Sequence, residues 1–141
     1  MKKVFLQMFA GFLAAAFMAA SVSYAGTTEV ASVDNSGKLG NRDSSESAIS
    51  SNGRFVAFES KASNLVPGDT NGKSDIFVHD RQTGSTEMVS TDSSGIQGNN
   101  GGCFIPVISA DGRYVAFESE ASNLVPGDTN GMTDVFVRDR Q

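Results

Sequence analysis

The sequence predicts an all-β fold, and three observations carry that prediction. The chain says nearly the same thing twice: residues 49–82 and 108–141 differ at only eight of 34 aligned positions, at an offset of 59 residues. Within each copy, short runs rich in aromatic and β-branched residues alternate with Gly, Asn, Asp and Ser, the punctuation of strands and tight turns. Beyond the N-terminal apolar run, no long window carries a 3.6-residue period. A repeat of this length also predicts an array, in which each unit buries its apolar faces against a neighbour.

The elements follow in order. Residues 1–25 have the three parts of an export signal. Lys2 and Lys3 open it, residues 4–20 are apolar apart from Gln7 and Gly11, and Ser-Tyr-Ala ends it at Ala25. The run is short for a membrane span of about 20 residues, and small residues follow it, so cleavage after Ala25 is expected. Loss of Lys2 and Lys3 takes the formal charge from −5 to −7. That acidity argues against nucleic acid, whose binding rests on Lys and Arg, and against an anionic membrane surface. It suits an exported protein, periplasmic or secreted. Cys103 is the sole cysteine; no internal disulfide can form, and the residue reads as a small buried hydrophobe.

After the signal come the strand candidates. Residues 54–59 (RFVAFE) follow the turn Ser51-Asn-Gly53. Residues 75–79 (DIFVH) are the next run, and Gln82-Thr-Gly84 turns the chain into residues 85–90 (STEMVS). A polar, glycine-rich stretch leads to residues 104–108 (FIPVI), and after Ala110-Asp-Gly112 the cycle restarts at residues 113–118 (RYVAFE). The repeat reaches upstream: residues 28–32 (TEVAS) match residues 86–90, at an offset of 58. They are expected to be a strand as well. The units are drawn as residues 26–84 and 85–141, each with about four strands.

Four short strands per unit with a Gly-containing hairpin is how a propeller blade reads. Residues 108–118 (ISADGRYVAFE) followed by residues 134–139 (DVFVRD) resemble the WD-like β-propeller repeat of TolB-like proteins. The resemblance covers both units. It departs at Ala110 and Ser51, where that family often has proline, and in the insert at residues 62–74. The fold it implies is two four-stranded β-propeller blades, a partial propeller. A propeller needs about four to eight blades, and two alone leave two sandwich faces and two edges uncovered. The chain is therefore expected to be a piece of a longer ring, or several copies assemble, three giving six blades.

The sharpest candidates for chemistry are the two loops holding Asp69, Asn71 and Asp75, and Asp128, Asn130 and Asp134. Oxygen side chains stand at the first, third and seventh positions around a glycine, a pattern a hard cation such as Ca2+ accepts, with carbonyls and water completing six to eight ligands. The match to the helix-loop-helix calcium motif is poor. Asp and Asn also make Asx turns and Asn-Gly a hairpin corner, so a plain connector stands beside the metal reading. His79 is the only histidine, and no nucleophile motif accompanies it, so catalytic residues are not expected. Glu59 and Glu118 occupy equivalent places, and the repeat explains them without a paired-carboxylate mechanism. Asp80 with Arg81, and Asp139 with Arg140, opposite charges at a strand end, read as a surface pair or a turn brace. Phe55, Phe58 and Phe77, with Tyr114, Phe117 and Phe136, read as filling between units.

The function expected is that of an exported, non-catalytic module for protein binding or scaffolding, with protein partners or further copies of itself. Fold-level analogy alone carries the partner class. The rivals are a calcium-stabilised surface or adhesion module, and the accessory propeller of a hydrolase.

Overall fold

A computed structural model of the chain describes residues 26–99 and 102–141; the expected export signal lies outside them. The described residues form seven strands and no helix: β1 (Ser44–Ile49), β2 (Phe55–Ser60), β3 (Asp75–Asp80), β4 (Ser85–Met88), β5 (Cys103–Ile108), β6 (Tyr114–Ser119) and β7 (Asp134–Asp139). They make two antiparallel meanders, ordered β1-β2-β3-β4 and β5-β6-β7. The all-β class is as expected. The second sheet has three strands rather than four. Residues 28–32 form no strand, although their counterparts in β4 pair along β3. A strand needs a sheet edge to bond to, and this run pairs with none.

The turns work as their residues dictate. Ser50 Oγ accepts from Phe55 N and donates to Asn52 Oδ1, and Gly53 N donates to Ser50 O. Ser109, Asp111 and Gly112 repeat the arrangement in the second unit. Asp34 Oδ1 accepts from the backbone N of Ser36 and Lys38, and Asp92 Oδ1 from Ser94 and Ile96, closing two equivalent hairpin loops. In β1 and β5 two residues oppose one across the pairing between Ser45 and Ala48 and between Phe104 and Val107, a bulge. Glu46 and Ile105 sit there at φ of +44° and +53°.

Each sheet has a front and a back. In the first sheet Ala57, Ile76 and Val78 share the front; Val56, Phe58 and Phe77 share the back. The second sheet repeats this, with Ala116, Val135 and Val137 in front and Val115, Phe117 and Phe136 behind. The front of the first sheet packs on the back of the second, joining Ala57, Ile76, Val78 and Val89 to Cys103, Val115, Phe117 and Leu124 in one core. The back of the first sheet is roofed by its own insert, with Ala62 and Leu65 over Phe58 and Phe77. Phe58 and Phe77 therefore fill a sheet-and-insert core and not the space between units, while Phe117 and Phe136 do lie between them. Tyr114 is 41% exposed.

Candidate functional site

The seam between the sheets gathers the polar residues of interest. Ser51 N and Oγ both donate to Ala110 O, at 3.1 and 2.9 Å. Cys103 N donates to Ser74 O at 2.8 Å, and Asn71 Nδ2 to Gly98 O at 3.2 Å. The guanidinium groups of Arg54 and Arg140 lie 4.7 and 4.5 Å from the centre of the Phe55 ring. Gly112 presses against that ring: a Cβ there would fall 2.1 Å from Phe55 Cδ2. Arg140 also bonds Glu87 of β4 at 2.6 Å, tying the two sheets together.

The first acidic loop is folded into this seam. Asp69 is 8% and Asp75 1% exposed, and each has one buried oxygen without a hydrogen-bond partner, Asp69 Oδ1 and Asp75 Oδ2. The other oxygen of Asp75 accepts from Ser90 Oγ at 2.8 Å. Burial, then the nearby charge of Asp75, pushes Asp69 up from 3.8 to about 6. Burial also raises Asp75, against hydrogen bonds from Ser90 and Asn71. Asn71 does not offer its carbonyl to the pair, because Oδ1 is taken by Lys73 N at 2.8 Å. Two of the three expected residues thus present free oxygens.

The second loop has the same residues in the open. Asp128 and Asp134 are half-buried and Asn130 is exposed. Asn130 Nδ2 donates to Asp134 Oδ2 at 2.9 Å, and Asn130 Oδ1 accepts from Met132 N. An amide N–H, not a carbonyl oxygen, therefore faces the carboxylate, as an Asx-type turn requires. Among the described residues, no three His, Cys, Asp or Glu side chains converge as a metal cluster.

The other singled-out residues have structural tasks. His79 is 7% exposed, Nδ1 lies 2.9 Å from Thr86 Oγ1, and burial lowers its pKa. Cys103 is 2% exposed and its thiol is pushed up to about 11 by burial, so it behaves as a hydrophobe. Glu59 accepts from Ser74 Oγ, while Glu118 is half-buried on the other sheet. Asp80 and Arg81 do not pair with each other. Adjacent strand residues point to opposite faces, so Asp80 takes Arg54 in a two-bonded pair at 2.9 and 2.7 Å, and Arg81 takes Glu29. Asp139 and Arg140 likewise take Arg113 and Glu87.

Sequence reasoning did not say which residues an uncovered face would carry. The front of the second sheet leaves Val135 72%, Val137 66% and Val107 60% exposed. The repeat offset was the available signal, because it pairs Val135 and Val137 with the buried Ile76 and Val78. No family model matches the chain, and no curated protein matches it.

Proposed function

We propose that the chain is an exported, non-catalytic module whose sheets are blades of a β-propeller, resembling TolB-like repeats, and that it serves protein binding or scaffolding. The observation that carries this reading is the unequal stacking of the two sheets, front on back. Stacking of that kind does not exhaust itself in a pair; it leaves one front and one back for a further blade or partner. The free front is apolar over Val107, Val135 and Val137, and patches of this sort mark interaction sites. The test is photo-crosslinking in growing cells, with the crosslinking side chain at Val137 or at Ile49. Protein adducts at these positions are expected. Their absence at both overturns the reading.

A second reading, a calcium-stabilised surface module, is favoured by the two buried oxygens of Asp69 and Asp75 that no donor meets. A divalent cation would supply the missing partner, with backbone carbonyls and water completing its shell. Calcium should then raise the melting temperature above pH 6, and Asp69→Asn should abolish the rise. An unchanged melting temperature in millimolar calcium removes this reading.

A further inference from the structure

The apolar front that the seam covers has a twin that lies bare, and the back that covers it has a twin that is bare only in part. On the covered front, Ile76 and Val78 are 0% and 1% exposed; their twins Val135 and Val137 are 72% and 66%. On the covering back, Val115 is 0% exposed and Ile108 half-buried; their twins are Val56, half-buried, and Ile49, 57% exposed. The bare front, and the back that carries its own insert as the covering back does, are therefore the two halves of an interface the chain already makes once with itself. The edges tell the same story. β4 covers the outer edge of β3, whereas among the described residues no strand pairs with the corresponding edge of β7. The run matching β4, residues 27–30, bonds to no sheet. Glu29 in that run holds Arg81 as Glu87 in β4 holds Arg140. The run is thus tied to the first sheet much as β4 is tied to the second.

We propose that the front of the second sheet is covered by the back of the first sheet of a second copy of this chain, and that residues 27–30 of that copy add to β7 as its fourth strand. This deepens the module reading above and rests on it for the blade geometry. The β3–β4 register sets Phe77 opposite Met88 and His79 opposite Thr86. Carried across the repeat, it sets Phe136 opposite Val30 and Arg138 opposite Thr28 of the other copy. Val135 and Val137 then share a core with Val56 and Ile49 of the other copy, as Ile76 and Val78 share one with Val115 and Ile108. The contact is head to tail, so it closes as a ring or continues as a filament. Three copies make a ring of six sheets.

The protein to test is expressed from its full reading frame and purified as the cell processes it. Light scattering should give a multiple of the single-chain mass. Val135→Asp combined with Val137→Asp should bring it to one chain mass with the β-type circular dichroism unchanged, because both side chains are exposed in the single chain. Thr28→Cys protein mixed with Arg138→Cys protein should yield a disulfide-linked dimer that neither gives alone, since facing antiparallel residues lie within disulfide reach. A single-chain mass for the unaltered protein overturns the proposal, as does an oligomer that survives the Asp pair and forms no mixed disulfide. Crosslinks from Val137 only to other proteins also overturn it and leave the module reading standing. Absence of any adduct removes the module reading, and the mass and the disulfide still decide self-docking.

Discussion

The two repeat units share all but eight of 34 residues and end in different surroundings. In the first, Ile76 and Val78 are fully covered and Asp69 and Asp75 are shut away from water; in the second, Val135 and Val137 are bare and Asp128 and Asp134 half-open. The backbone of the two is the same, down to the bulge near Glu46 and Ile105 and the stacked pairs Phe58–Phe77 and Phe117–Phe136, at 5.8 and 5.9 Å between ring centres. Local sequence builds the sheet; a neighbour decides which of its side chains become core. The same residue is therefore worth different amounts in the two units, and substitutions at twin positions measure that difference directly.

The largest contrast is expected at the front faces. Ile76→Ala empties a fully covered site and should cost about 2–5 kcal/mol in denaturant unfolding. Val135→Ala at the twin position removes an exposed side chain and should stay within about 0.5 kcal/mol when the chain is monomeric. A Val135→Ala cost that grows with protein concentration would sharpen the contrast, because burial at that position would then come from association. Equal costs at high dilution would break it.

Much of this was legible in the residues. The runs bounded by Gly, Asn and Asp became strands within a residue or two of their expected limits, because turn chemistry is local. Residues 28–32 were misread for the opposite reason: they match residues 86–90, but strand formation depends on an edge elsewhere in space. Of the two readings of Asp80 with Arg81, the turn brace holds, since Asp80 Oδ1 accepts from Gln82 N; the ion pair does not, because chain neighbours point apart and the charge partner, Arg54, lies across the β2–β3 ladder. At the candidate site, Asp69 and Asp75 are both buried in the seam, and the charge of Asp75 is felt at Asp69. Asn71 was not free to join them, since its carbonyl closes the loop on Lys73 N. Nothing in the loop sequence distinguishes the buried copy from the open one, as the cover comes from residues 97–98 and the second sheet.

A smaller contrast is expected in the pH dependence, read in the calcium-free arm of the melting experiment. Asp69 binds its proton more tightly in the folded chain, about 6 against 3.8. Between those values the native state holds more protons than the unfolded one, so stability is present below pH 4 and declines as the pH rises through 6. Asp75 adds to this decline in the same direction. Asp80, Asp34 and Asp139 act oppositely: each is held low by hydrogen bonds, to Arg54, Ser36 and Arg113 respectively, and their support is lost as the pH falls below the ordinary carboxylate range. Asp69→Asn should flatten the profile between pH 4 and 6. Asp128→Asn removes no buried unpartnered oxygen and should leave that slope in place. A slope that Asp69→Asn does not change would place Asp69 in contact with water.

The smallest expected contrast lies in two glycines that make the same turn. Gly53 and Gly112 have φ of +70° and +79°, where a side chain costs about 1–2 kcal/mol in either unit. At Gly53 an added methyl would meet only Arg81 Nη1, at an ordinary 3.5 Å. At Gly112 it would meet Phe55 at 2.1 Å, and that ring is hemmed in by the guanidinium groups of Arg54 and Arg140. Something must move, and overpacking of this kind adds about 1–3 kcal/mol. Gly112→Ala should therefore be the worse of the two by that margin in urea melts. Phe55→Ala made together with Gly112→Ala should cost less than the two separately, since loss of the Phe55 ring removes what the new methyl collides with. Equal costs for the two glycines, with no coupling to Phe55, would mean that the sheets do not meet at this corner in solution.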